Sequence, residues 1–250
     1  MSFQVKSGEH MDNERSLRKR RLKDEREFRR ILRMGDDNLK SFYNLRGCGL
    51  EIEFGINYSK ESSRYIKTGL EKMVNVVGDK GKFVPDITIS SDFNVEIVLL
   101  PMTKEELKPL FLKICEILDF YDDFVFSDKC GLHATFLAND EEKKLFFDLM
   151  ADGGYNQDFF DHNKYKVSFS ELIKMTPDGS IMSYEDYLAY QNEIWGKYTS
   201  INFLKPDLVE FRSLKLSWEQ IEYVYNAFES VYRWGDKNPL LETAHSAIVV

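Results

Sequence analysis

Glu51 and Glu53 stand in the run Gly49-Leu50-Glu51-Ile52-Glu53-Phe54-Gly55, where acidic and apolar side chains alternate at the two-residue period of a strand. On a strand the two carboxylates share one face, roughly 7 Å apart, and Leu50, Ile52 and Phe54 take the other. Like charges that close repel, and removing them from water without a counter-charge costs several kcal/mol. A divalent cation would remove that cost; the plainer reading is a half-buried strand whose wet face carries two glutamates.

Further groups of the same kind sit at the centres of other strand-like runs. Residues 83–101 (FVPDITISSDFNVEIVLLP) read as two short strands joined by a turn at 90–94, with Glu96 between Val95 and Ile97 in the second. Gly131-Leu132-His133-Ala134-Thr135-Phe136-Leu137 alternates again, placing His133 and Thr135 on one face. Residues 197–204 and 208–214 read as strands around a Lys205-Pro206-Asp207 turn, a hairpin on which Glu210 and Arg212 share a face. A Glu210–Arg212 ion pair is the plain alternative there, worth little if exposed. A lone strand histidine is more often hydrogen-bonded structure than a ligand, but carboxylate neighbours change that balance. Gathered in one sheet, these residues make a carboxylate-rich site with one imidazole and one guanidinium. Oxygen-dominated ligation selects Mg2+ or Mn2+, and arginine suits a phosphoryl group. Repulsion among the acids predicts that Glu53→Gln or Glu210→Gln abolishes activity without unfolding the chain.

Helices must hold those strands in place. Ser63 is read as the cap of a helix bearing Ile66, Leu70, Met73, Val74 and Val77, stopped by Gly78. Thr103 and Glu106 form a capping box ahead of Leu107, Leu110, Phe111, Ile114, Cys115 and Leu118. Asn139 with Glu142 caps a helix carrying Leu145, Phe146, Leu149 and Met150, which ends at Gly153-Gly154. That glycine pair follows a helix and lacks a Lys-Ser/Thr tail, so it reads as a stop rather than a phosphate loop. Residues 155–182 read as a long excursion, Ser183 starts a helix that Gly196 closes, and Ser217 caps another with Ile221, Val224, Tyr225, Phe228, Val231 and Tyr232.

Composition sets the frame. With 250 residues and 43% hydrophobic content the chain can bury a sizeable core, and 19 Phe with 13 Tyr argue against disorder. No apolar run reaches the roughly 20 residues of a bilayer span, and the amino terminus lacks a secretory pattern, so a soluble, cytoplasmic protein with no membrane partner is expected. Three dispersed cysteines, Cys48, Cys115 and Cys130, suggest neither a disulfide framework nor a zinc cluster. The formal charge of −8 is uneven: residues 15–33 hold ten Lys/Arg against three acids, a local +7 that leaves −15 on the rest. The run from Glu14 to Arg33 reads as a helix with a thin apolar stripe (Leu17, Phe28, Ile31, Leu32), either a solvated helix tacked on by its second half or a basic arm for nucleic acid, an acidic partner or a membrane surface.

The ordered set GLEIEFG, PDITI with NVEIVLLP, CGLHATF, and INF with LVEFR resembles the amidoligase family, a branch of the carboxylate-amine ligases that share the glutamine synthetase and glutamate-cysteine ligase fold. The resemblance covers roughly residues 45–216. It implies an α+β fold, a mostly antiparallel sheet forming a metal- and nucleotide-binding concavity with helices on its outer face. It places a catalytic domain over 41–234; the basic helical arm over 1–40, which falls outside the resemblance, and a tail over 235–250 complete the expected division. It further implies ATP and Mg2+ (or Mn2+) as cofactors and a small-molecule amine or a peptide or protein carboxylate as substrate, amine and carboxylate being joined as an amide through an acyl phosphate. Glu51, Glu53, Asp86, Glu96, His133 and Glu210 are the implied metal ligands. Arg212, with Glu53 and Glu210, is the implied catalytic set, and Arg212, Lys197 and Asn202 fall where nucleotide contacts sit. Relatives often carry a second histidine two residues after the first, where this chain has Thr135. A phosphotransferase on the same fold, and a non-catalytic relative acting through its basic helix, are the competing expectations.

Overall fold

The structure is a computed structural model that describes residues 7–36, 46–59, 62–85, 91–127, 130–155, 160, 169, 173, 180–195 and 199–236, with the side chains of 16–32 in the first helix, up to 193 in the second last and up to 232 in the last. Asp86 and Lys197 lie outside these residues, as do most of 155–182 and the tail from 237.

Alternation translates directly into a sheet. In β1 (Cys48–Ile56) only Glu51 and Glu53 are partly exposed while Leu50, Ile52 and Phe54 are buried, and β3 (Phe93–Met102), paired antiparallel beside β2 (Gly81–Pro85), alternates buried and half-buried side chains. Among the described residues seven strands pair, all antiparallel, in the order β2-β3-β1-β5-β7-β6, with β4 (Phe124–Val125) set against the end of β1. β5 spans Leu132–Leu137, β6 Ile201–Asn202 and β7 Leu208–Leu214. The fold is therefore α+β with a mostly antiparallel sheet.

The apolar face of the sheet is covered by helices. α1 (Ser7–Asp36) buries Phe28, Ile31 and Leu32 and lies against β2 and α2 (Ser63–Val77). α2 turns Ile66, Leu70, Met73 and Val77 inward, and its Cap position is Ser62 rather than Ser63, which is already helical. Gly78, at φ 55, then takes the left-handed conformation that a side chain would resist. α3 (Lys104–Phe120) buries Leu107, Leu110, Phe111, Ile114 and Leu118, and the Glu106 carboxylate accepts the Thr103 N–H. α4 (Asp140–Leu149) opens with the expected reciprocal bonds between Asn139 and Glu142. Its inward residues are Phe146 and Phe147, while Leu149 turns to solvent, one step round the helix from the expected face.

The half of the core under β5, β7 and β6 is aromatic. Phe228 of α6 (Trp218–Asp236) stacks between Phe136 of β5 and Phe146 of α4, at centroid separations of 4.1 and 4.0 Å. Such pairs add about 0.5–1.5 kcal/mol each beyond area burial. α5 (Tyr184–Tyr190), capped by Ser183, secures β6: the Tyr187 hydroxyl and the Gln191 amide both donate to the Ile201 carbonyl. Of the strand expected over 197–204, the described residues form only Ile201–Asn202, since Phe203 leaves the ladder to join the aromatic core, where it is fully buried against Tyr187 and Phe146.

Candidate functional site

Register decides which charges meet. Glu51 lies opposite His133 on β5, Glu53 opposite Glu96 on β3, Thr135 opposite Glu210 on β7, and Asn202 opposite Glu210 from the other side. The candidate residues thereby share the sheet face opposite the apolar one, and neighbouring strands bring their side chains within about 5 Å of one another.

The His133 ring sits among three carboxylates. Its Nδ1 is 3.0 Å from Glu51 Oε2 and 3.6 Å from Glu210 Oε1, and its Nε2 is 3.8 Å from Glu53 Oε1. The ring is 2% exposed, so these neighbours, rather than water, set its environment. The hydrogen bond to His133 holds the Glu51 carboxyl below its ordinary value. Glu53 is aimed by the chain just before β5: its Oε2 accepts the Gly131 N–H at 2.7 Å, and its own N–H donates to the Gly131 carbonyl. A Cβ at position 131 would fall 2.6 Å from His133 Nε2 and 2.8 Å from Glu53 Oε2, so glycine is what allows acid and imidazole to close over the backbone.

Glu210 is fully buried and densely partnered. Arg212 Nη1 lies 2.6 Å from its Oε1, and Lys205 Nζ and the Asn202 amide lie 3.2 and 3.1 Å from its Oε2. Burial by itself would raise this carboxyl, but the charges of Arg212, His133 and Lys205 outweigh it and hold it at about 2. The turn that delivers Lys205 is fixed from below by α4. The buried Lys143 ammonium donates to the Lys205 carbonyl at 2.8 Å and lies 3.5 Å from that of Phe203.

Of the six ligands expected, Glu51, His133 and Glu210 each offer a donor atom within 4.8 Å of the other two, a group that could hold a metal ion. Glu53 adjoins it through His133, while Glu96 faces Glu53 from β3 and stands outside the group. Asn202 serves Glu210 instead of facing outward: its Nδ2 donates to that carboxylate and its Oδ1 accepts the Leu204 N–H. Arg212 and Glu210 form a buried pair, not the exposed one of small consequence. The expectation that Glu210→Gln would relieve repulsion is overturned by the same contacts, since Arg212, Lys205 and His133 all face Glu210.

Sequence reading missed Gly131, Lys205 and Lys143. Lys205 was in view as part of the turn, but only the hairpin geometry, with Asp207 at φ 52, folds it back onto Glu210. Lys143 had no signal beyond its place on a helix. The Thr135 hydroxyl, where a second histidine is expected, has no hydrogen-bond partner among the described residues. No helix among these residues is long and apolar enough to cross a membrane. Neither a scan against protein-family models nor a search of curated proteins finds a match to this chain.

Proposed function

We propose that the protein is an ATP-dependent carboxylate-amine ligase of the amidoligase type. The observation that carries this reading is the meeting of Glu51, His133 and Glu210, from three strands far apart in sequence, on one face of the sheet. Their donor set suits a metal: two carboxylates and one imidazole, with Glu53 beside them, favour a hard divalent cation such as Mg2+ or Mn2+. Glu51, His133 and Glu210 would hold it. With metal and ATP bound, the chemistry supplied is phosphoryl activation of a substrate carboxylate, which opens its carbonyl carbon to an amine.

The chain's own residues prepare that chemistry. Gly131 fixes one Glu53 oxygen through its N–H and leaves the other toward His133. Arg212 and Lys205 place positive charge beside Glu210, as a site for phosphate oxygens requires. The helix layer and aromatic core give β1, β5 and β7 the rigid backing that such positioning needs.

A second reading has one observation in its favour. Glu51, Glu53 and Glu210 each already have a partner within the protein, so the cluster can stand as a self-neutralised network in a non-catalytic relative. Titration of Mn2+ into the full chain, followed by ADP-release assays with panels of carboxylates and amines, separates these. The ligase reading requires saturable Mn2+ binding that Glu51→Gln abolishes, and ADP release that needs both substrates. ADP release with a phosphorylated amine and no carboxylate requirement assigns a phosphotransferase, and failure to bind metal or nucleotide favours the network.

A further inference from the structure

α1 sorts its charges into two sectors. The acids point toward the body or along the helix: Asp24 accepts the Tyr58 hydroxyl at 2.5 Å, Glu27 pairs with Lys67 at 2.5 Å, and Glu25 pairs with Arg29 at 2.9 Å. Arg21 reaches Asp92 at 2.7 Å, and Arg29 also lies over the Phe93 ring. At 3.6 residues per turn, Lys19, Lys23, Arg26 and Arg30 then fall within a sector of about 60° centred opposite the buried Phe28. All four are exposed and make no ion pair or hydrogen bond among the described residues. They form a straight cationic stripe about 16 Å long, at a rise of 1.5 Å per residue.

We propose that Lys19, Lys23, Arg26 and Arg30 dock this protein on the phosphodiester backbone of double-stranded nucleic acid, without reading its bases. Charge complementarity narrows the occupant. A protein interface needs an apolar or aromatic centre, which the stripe lacks. A membrane-surface helix must insert a broad apolar face; Phe28, Ile31 and Leu32 of α1 are spent on the core, and the two exposed leucines, Leu17 and Leu22, lie five residues apart on different sides of the helix. Unpaired bases need aromatic side chains to stack on, and the one aromatic residue among the described side chains of α1, Phe28, is buried. Contact made by Lys and Arg alone is what a duplex backbone accepts. The −15 carried outside residues 15–33 repels a polyanion elsewhere, which confines the contact to this helix and to a few phosphates.

Fluorescence anisotropy of a short labelled DNA duplex with the full chain tests this. Neutralising about four phosphates predicts that log affinity falls with log salt at a slope of about −3 to −4. The quadruple variant Lys19→Gln, Lys23→Gln, Arg26→Gln, Arg30→Gln is expected to lose about tenfold or more in affinity at low salt and most of that slope. Its thermal midpoint should stay close to the parent's, since glutamine keeps helix propensity and no contact is lost. Glu53→Gln should bind the duplex like the parent, which keeps this outcome separate from the fate of the ligase reading. No duplex binding at low salt, or equal binding by the quadruple variant, overturns the proposal. So does capture of poly-glutamate or phosphatidylserine vesicles, through the same four residues, at an affinity that matches or exceeds the duplex.

Discussion

On β1, β5 and β7 charges of both signs are folded into one another: Glu210, itself fully buried, has Arg212, Lys205 and His133 within 3.6 Å. α1 carries more charge but keeps it wet, pairing its acids at the surface and leaving a line of cations facing outward. The difference teaches that charge density says little about energetic weight. Burial decides it, because the same ion pair is worth a fraction of a kcal/mol in water and several once its partner is stranded in the interior.

The sharpest way to break the contrast is Glu210→Gln. It removes the counter-charge from a guanidinium that is 13% exposed, and should cost about 3–5 kcal/mol in urea denaturation. A neutral Glu210→Gln would mean that the pair is far wetter than its burial implies. Acid titration is the next largest effect. The unfolded chain protonates this carboxyl near the ordinary 4.5 and the folded chain near 2, so across that window the unfolded state binds more protons. Stability from Glu210 is then complete above about 4.5 and drains away as the pH falls toward 2, by about 3 kcal/mol. Glu27 is also held low, by its hydrogen bond to Lys67, but at the surface. Glu27→Gln should therefore leave the acid slope nearly unchanged, whereas Glu210→Gln should flatten it.

Gly131→Ala comes third. A methyl group 2.6 Å from His133 Nε2 must push ring or carboxylate aside, at about 1–3 kcal/mol in thermal or chemical denaturation, with Mn2+ binding weakened alongside. The smallest change is Glu25→Ala on α1, which gives up a solvent-exposed i,i+4 pair with Arg29 and should shift stability by about 0.5 kcal/mol or less. A loss well above that would place α1 in the same class as the buried cluster.

Much of the fold is written locally. Alternation marks β1, β3, β5 and β7, and the Asn139–Glu142 and Ser183 caps stand at the helix starts they announce, because both signals act within a few residues. What escapes is set at a distance. β6 stops after two residues because Phe203 is drawn into an aromatic core built from α4, α5 and α6, and Phe147 displaces Leu149 from the inner face of α4 for the same reason. In the site, residue types were legible and their pairing was not. Which acid faces His133 depends on strand register, and a slip of one residue would turn every candidate to the other face. Arg212 could be placed beside Glu210 from their spacing, but Lys205 could not, and a cluster read as mutually repelling carboxylates is one already neutralised in part.

The position of α1 against β2 has a bearing on how the chain tolerates trimming. Among the described residues β2 has a neighbour on one side only, and such a margin offers its unpaired amides and carbonyls to any passing strand unless something stands in the way. At the opposite margin β6 is too short to serve as a template. A protein shortened past residue 36 would lose its cover along β2 and the burial of Phe28, Ile31 and Leu32 together. Clumping of that fragment would report a bared border, and only substitutions that keep the helix in place can speak for its cations.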